Sequence, residues 1–350
     1  MKIINKCCMI IALLGMMTIV LVGCSRGGGN NDSSPWFELT ANNNSASNGT
    51  WVWTGTEILI WGGGYMPCIN TGYMYNPSKD QWTPITTVGA PLPRCSPVSV
   101  WTGNKMIVWG GIDTDGPTGG IYDPASDTWE PISTQNAPSA RDIILGYGSA
   151  VWTGQEMIVW SGTGGGIYNP QTDTWKSISL PLQEVYLISQ TGTWCWTGNE
   201  MLANGWLYNP STDTWRETIN NQRVSGVCTN KEQICFGPTL MNGVPAVGAK
   251  YNFATEQWTP ISSVNALPYR KHPAVVWTGT EVWIVGGYHG GLINYDNPPP
   301  DILDGGRYNP TTDTWNSIPT LPRNVGNGPS AWTGTEIILL SGRGGLGIKP

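Results

Sequence analysis

An all-β fold is what the sequence predicts: seven four-stranded antiparallel sheets set in a ring, the last of them completed by the first strand of the folded part. Three observations lead to it. A hairpin signature beginning Trp-Thr-Gly recurs at Trp53, Trp101, Trp152, Trp196, Trp277 and Trp332, with a worn copy, CTNKEQICFG, at Cys228. A second signature, Tyr-x6-Trp, follows the first six copies, as Tyr75/Trp82, Tyr122/Trp129, Tyr168/Trp175, Tyr208/Trp215, Tyr251/Trp258 and Tyr308/Trp315. Charged residues make up only 12% of the chain, while Gly (46), Pro (27) and Trp (20) abound, which favours short strands and tight turns over helices.

The start of the chain stands outside this pattern. Lys2 and Lys6 flank the beginning of an apolar run that ends at Cys24, the form of a secretory signal and too short for a membrane span. Leu21-Val22-Gly23-Cys24 resembles the bacterial lipobox. That resemblance implies cleavage after residue 23, acylation of Cys24 and stable attachment to a lipid bilayer, in the outer membrane if the cell is Gram-negative. Residues 1–23 are therefore expected to be a signal peptide and 24–34, SRGGGNNDSS among them, a flexible tether. Residues 35–350 remain for the fold. Losing Lys2 and Lys6 takes the net charge from -6 to -8, and an acidic surface without a basic stripe argues against nucleic acid as a partner.

Each repeat reads as a meander of strands A, B, C and D. In AVWTGQEMIVW an apolar strand meets a glycine turn and returns, a hairpin. Gly-Gly after the second strand permits positive φ and close backbone approach. YNPxTDTW is a strand, a Pro/Asp turn and a strand opening on Trp. One meander cannot bury both faces, so neighbours must stack, with tryptophans filling the wedge between them.

These signatures resemble the kelch repeat, whose blades carry Gly-Gly at the end of B, Tyr in C and Trp in D. The resemblance covers residues 35 to 350 and implies a β-propeller, with little said about function. The seventh copy, PSAWTGTEIILLSGRGGLGIKP, stops where its Tyr-x6-Trp belongs. SSPWFELT, residues 33 to 40, supplies the missing D strand, with Trp36 in the place of Trp129 or Trp315. Seven D-strand tryptophans give seven blades; six would require the worn fifth copy not to be one.

In such a meander the A–B and C–D turns share one face, and the B–C and D–A loops the other. The first face looks uniform and structural. The variable segments fall on the second, where function is expected on a rigid scaffold. Arg94, Arg141, Asp142, Glu184, Arg270, His272, Tyr288, His289, Asp296 and Arg323 lie there. Arginines entering strand A at Arg94, Arg141, Arg270 and Arg323 either tie loops to carbonyls or form a ring of donors for a carboxylate or sugar hydroxyl.

Two enzymatic precedents follow from the resemblance. Copper radical oxidases with kelch-like propellers use two His and two Tyr, and His272 and His289 with Tyr269 and Tyr288 offer that set. No cysteine lies near for their tyrosine–cysteine crosslink, and the further domain that supplies a ligand in those enzymes is not expected here. Sialic-acid mutarotases use Glu and Arg, for which Glu184 with Arg141 or Arg223 is the candidate pair. No nucleophile, phosphate-loop or zinc motif appears, and no cofactor is expected. Cysteine usage fits an exported protein: Cys68 and Cys95 lie on one face of adjacent blades and suit a disulfide. The state of Cys195, Cys228 and Cys235 stays open. The expected function is non-covalent recognition of a glycan or a protein by the variable-loop face. A carbohydrate-active enzyme and a structural envelope component are the alternatives.

Overall fold

The computed structural model describes residues 34–42, 48–64, 67–112, 118–138, 149–160, 164–180, 193–203, 205–218, 226–241, 244–289, 302–326, 328–341 and 344–350. Blade one is β2–β5 (Thr50–Trp53, Ile58–Trp61, Gly72–Asn76, Gln81–Ile85) and blade two β6–β9 (Val98–Trp101, Met106–Trp109, Gly119–Asp123, Thr128–Pro131). Blade three is β10–β13 (Ser149–Trp152, Met157–Trp160, Gly165–Asn169, Thr174–Ser177) and blade four β14–β17 (Trp194–Trp196, Met201–Ala203, Trp206–Asn209, Thr214–Glu217). The worn copy is a true blade, β18–β21 (Gly226–Cys228, Glu232–Met241, Val244–Asn252, Gln257–Pro260). Blade six is β23, β24, β26 and β27 (Ala274–Trp277, Val282–Val285, Gly305–Asn309, Thr314–Ser317). A short ribbon of β22 (Arg270–Lys271) and β25 (Tyr288–His289) stands beside it. Blade seven joins β28–β30 (Ser330–Trp332, Ile337–Ser341, Gly344–Ile348) to β1 (Trp36–Leu39).

The ring closes as the repeat count requires. β1 pairs antiparallel with β30, Trp36 opposite Ile348 and Leu39 opposite Gly345. First strands of successive blades lie beside one another around the axis, and the fourth strands form the rim. The architecture is thus a seven-bladed β-propeller of the kelch type. Among the described residues it contains no helix.

Apolar burial sits between blades. Each joint has its own core: Val52, Leu59 and Trp61 of blade one meet Met106, Val108 and Tyr122 of blade two. Leu39, Ile338 and Leu340 of blade seven meet Ile58, Ile60 and Tyr75 of blade one. Both faces of a second strand are covered this way, so Ile58, Leu59, Ile60 and Trp61 are all buried. Indole rings bridge the joints, with Trp61–Trp129 and Trp109–Trp175 centroids 4.4 Å apart. Gly72 at the start of β4 is required here, since a Cβ would lie 2.4 Å from the Trp61 ring and from Ile60 O.

The Tyr-x6-Trp signature is a hydrogen-bonded clasp. Each Trp indole N–H reaches back to the linker that leaves the preceding blade: Trp82 to Thr40 O, Trp129 to Thr86 O, Trp175 to Ser133 O, Trp215 to Ser179 O, and Trp315 to Ser262 O. Trp258 uses Thr218 Oγ1, and Trp36 donates to Pro319 O at 3.0 Å, completing the circle. The turn Asp between Tyr and Trp has positive φ (51° at Asp127 and Asp173), a conformation that Asp tolerates better than most residues. There its carboxylate accepts the Tyr hydroxyl, 2.8 Å at Tyr122–Asp127 and Tyr168–Asp173. It also accepts a backbone N–H of the preceding blade's linker, Thr86 and Ser133 in these two cases.

Burial, reinforced by the Asp acceptor, raises Tyr122, Tyr168, Tyr208 and Tyr308 above the ordinary phenol range. The folded state therefore holds these protons after the unfolded chain has begun to lose them, at about pH 10. Stability is fully present below that pH and falls as pH rises beyond it. In an alkaline titration, the share of tyrosinate absorbance that these four residues contribute, read as the difference from their Phe variants, should appear together with loss of the β circular-dichroism signal. Ionisation of these four near pH 10 while the protein stays folded would contradict this.

Cys68 and Cys95 are bridged, with Cα atoms 5.1 Å apart, tying the B–C loop of blade one to the segment entering blade two. A second bridge joins Cys195 on β14 to Cys228 on β18, with Cα atoms 5.6 Å apart. Cys235 is left as a buried thiol, which burial pushes up to about 12, so it stays protonated and unreactive at neutral pH.

Candidate ligand-binding face

The structure gathers the blade-six candidates on the loop face. Arg270↔His289 and Lys271↔Tyr288 are the two rungs of the β22–β25 ribbon. Gly287, at φ 96°, lets the ribbon close: a Cβ there would meet Lys271 O at 2.7 Å and Pro273 N at 3.1 Å. His272 leaves the ribbon with φ 52°, so it turns the chain into β23. Asn324 Nδ2 donates to Gly287 O at 3.2 Å, linking the ribbon to the next linker.

Arg270 is the pin. Its guanidinium donates to Pro268 O, Gly286 O and Asp304 O, and to Asp304 Oδ1 at 2.8 Å. Its side chain is 5% exposed, whereas that of Asp304 is 65% exposed. Arg94 does the same work between blades one and two, donating to Leu92 O, Gly110 O and Thr118 O while fully buried. Arg323 bonds Glu38, Gly345 O and Ser341 Oγ, fastening the closing strand. In these three, the guanidinium ties loops to carbonyls, the plainer of the two readings of the repeated arginines. Arg141, Asp142, Glu184, Arg223 and Asp296 lie outside the described residues, as does Cys24.

Two aromatic rings flank this pinned corner and face solvent. Tyr269 is 49% exposed and Tyr288 36%. Tyr269 forms part of the wall of a cavity of about 300 Å³, lined also by Arg270, Leu303, Asp304 and Thr320. Tyr288 occupies the position that Ile112 holds in the equivalent Cys95↔Ile112 bridge of blade two. Asp304 and Leu303 belong to no sequence motif. Their only signal was an insertion of unusual length between β24 and β26.

No family model matches the sequence, and no curated protein matches it. Among solved structures, a fungal alcohol oxidase described as showing catalytic diversity within the AA5 family, in complex with copper, has the same fold. The TM-score is 0.63 over 91% of this chain and 76% of that one, at 14% identity. At that identity the likeness is one of fold. Among the described residues, no group of three or more His, Cys, Asp or Glu side chains is arranged to hold a metal ion. Of the His and Tyr set that the copper-oxidase precedent implies, Tyr269, His272 and Tyr288 are described, and the side chain of His289 lies outside the described residues.

Proposed function

We propose that the protein binds a glycan through the loop face at blade six, as a propeller displayed on a bilayer by acylated Cys24. The observation that carries the reading is the solvent-facing Tyr269 in the wall of the cavity, with Tyr288 exposed on the adjoining ribbon. A ring with two side-chain torsions held on a pinned ribbon offers a large, pre-ordered apolar surface at small entropic cost. The C–H face of a sugar packs on such a ring, and the exposed Asp304 carboxylate accepts hydroxyl hydrogens. Because Asp304 is already neutralised by Arg270, a neutral sugar suits the site better than a cation.

A glycan array followed by calorimetry on the purified protein tests this. Tyr269→Ala and Tyr288→Ala should each weaken binding by about tenfold, the order of 1–2 kcal/mol expected of an aromatic contact, with thermal midpoints unchanged. Binding that survives both substitutions moves the site elsewhere. In the same cells, Cys24→Ser should shift the protein from the membrane to the soluble fraction, and continued membrane retention would remove the lipid from the proposal.

A further inference from the structure

The turn face is less uniform than its repeated sequence suggests. At most joints a long side chain from the third or fourth strand crosses to the next blade. Lys176 Nζ of blade three donates to Pro210 O at 3.3 Å, and Lys250 Nζ of blade five to Pro310 O at 2.8 Å. Arg216 of blade four reaches Glu256 of blade five at 2.8 Å. Met74 and Phe37 fill the joints on either side of blade one with apolar bulk.

Blade two breaks the pattern. Its crossing rung is Ile121↔Glu130. Ile121 is short, and a carboxylate cannot donate to Pro170 O, the carbonyl equivalent to Pro210 O and Pro310 O. Glu130 is instead held within its own blade by Lys105 at 2.8 Å. Lys105 stands where the six other hairpin turns carry Glu57, Glu156, Glu200, Glu232, Glu281 and Glu336. The pair thus reverses the Glu200–Arg216 order of blade four. What remains is a groove of about 480 Å³ between blades two and three, lined by Lys105, Ile121, Glu130, Trp152, Gln155 and Pro170.

We propose that this groove takes a lysine side chain from a partner polypeptide, seated as Lys176 and Lys250 are in their own joints. The ammonium meets Pro170 O and Glu130. The methylene stem lies along Ile121 and the Trp152 ring, where its burial adds to the two contacts of the ammonium. Lys105 lies 2.8 Å from Glu130 and 4.0 Å from Asp123. Two carboxylates thus share one ammonium here, unlike Asp304 with Arg270, and the groove keeps a negative charge that favours a basic side chain. The site lies on the face opposite the tyrosines and does not rest on the glycan reading.

The test follows the Trp152 indole N–H signal of the full-length, Trp-labelled protein in detergent by NMR. The titrants are Nα-acetyl-lysine methylamide, its norleucine counterpart and spermidine. The lysine probe should give a saturable shift, and the norleucine probe none. Glu130→Gln should weaken the lysine response at least tenfold. The double exchange Lys105→Glu with Glu130→Lys, which copies the Glu156/Lys176 arrangement of blade three, should abolish the response while keeping the melting midpoint. No saturable shift, an equal response to norleucine, or a response surviving both the Glu130→Gln and the exchanged variants overturns the proposal. A shift given by spermidine but not by the lysine probe does so as well.

Discussion

Removing β1 abolishes cooperative unfolding of the entire ring instead of fraying one edge: this is the expected result for a chain lacking residues 34–40. β1 supplies four rungs to β30. It also supplies the buried Trp36 and Leu39, which belong to two different joints. Without it, blade seven loses its rim strand and both neighbouring cores are opened. Trp36→Ala alone should cost about 3–5 kcal/mol, the usual loss for a large buried aromatic. That is a large part of the roughly 5–15 kcal/mol by which folded proteins are stable. Denaturant titration of the deletion and of Trp36→Ala measures both, and an unchanged midpoint in either would contradict ring closure by this strand.

The second large effect concerns blade five, whose sequence is the most worn. Its hairpin slot holds Cys228 where six other copies hold Trp, and its turn holds Glu256 where five hold Asp. Its second and third strands shift register between Phe236 and Thr239. The Cys195–Cys228 bridge, spanning 33 residues, restrains this blade against blade four. Loop-closure entropy assigns such a bridge about 4 kcal/mol. Cys195→Ser with Cys228→Ser, which leaves the Cys68–Cys95 bridge in place, should lower the unfolding free energy by that order. Amide exchange should rise first in blade five and its joint with blade four. An unaltered midpoint, or uniform loss of protection around the ring, would show that the bridge restrains nothing of consequence. Cys235, buried and protonated, should resist alkylation until the protein unfolds.

Much of this fold was legible because the repeat carries its own chemistry. The Trp-Thr-Gly and Tyr-x6-Trp periods located the blades, and the truncated seventh copy pointed to Trp36. Cys68 and Cys95 could be paired because both fell on one face of adjacent blades. Cys195 and Cys228 could not, because they lie on the inner strands of different blades, and no spacing rule brings those strands together. The turn Asp was read only as a turn former. Its bonds to the Tyr hydroxyl and to the preceding linker depend on the packing of two sheets. For the candidate site, Tyr269 and Tyr288 stood out beside the histidines, whereas Asp304 became visible only through its contact with Arg270. The uniform turn sequences concealed the groove at Glu130, since its opening depends on which side chain spans a joint.

All seven indole donors point the same way round the circle, each blade grasping the one before it. Such a head-to-tail clasp has no special first or last member. Duplicating or losing a whole repeat leaves every indole supplied with an acceptor and every linker amide that binds a turn Asp supplied with its carboxylate. Copy number is therefore governed by the wedge angle at which neighbouring sheets pack, and polar bonding alone sets no limit on gain or loss of a blade.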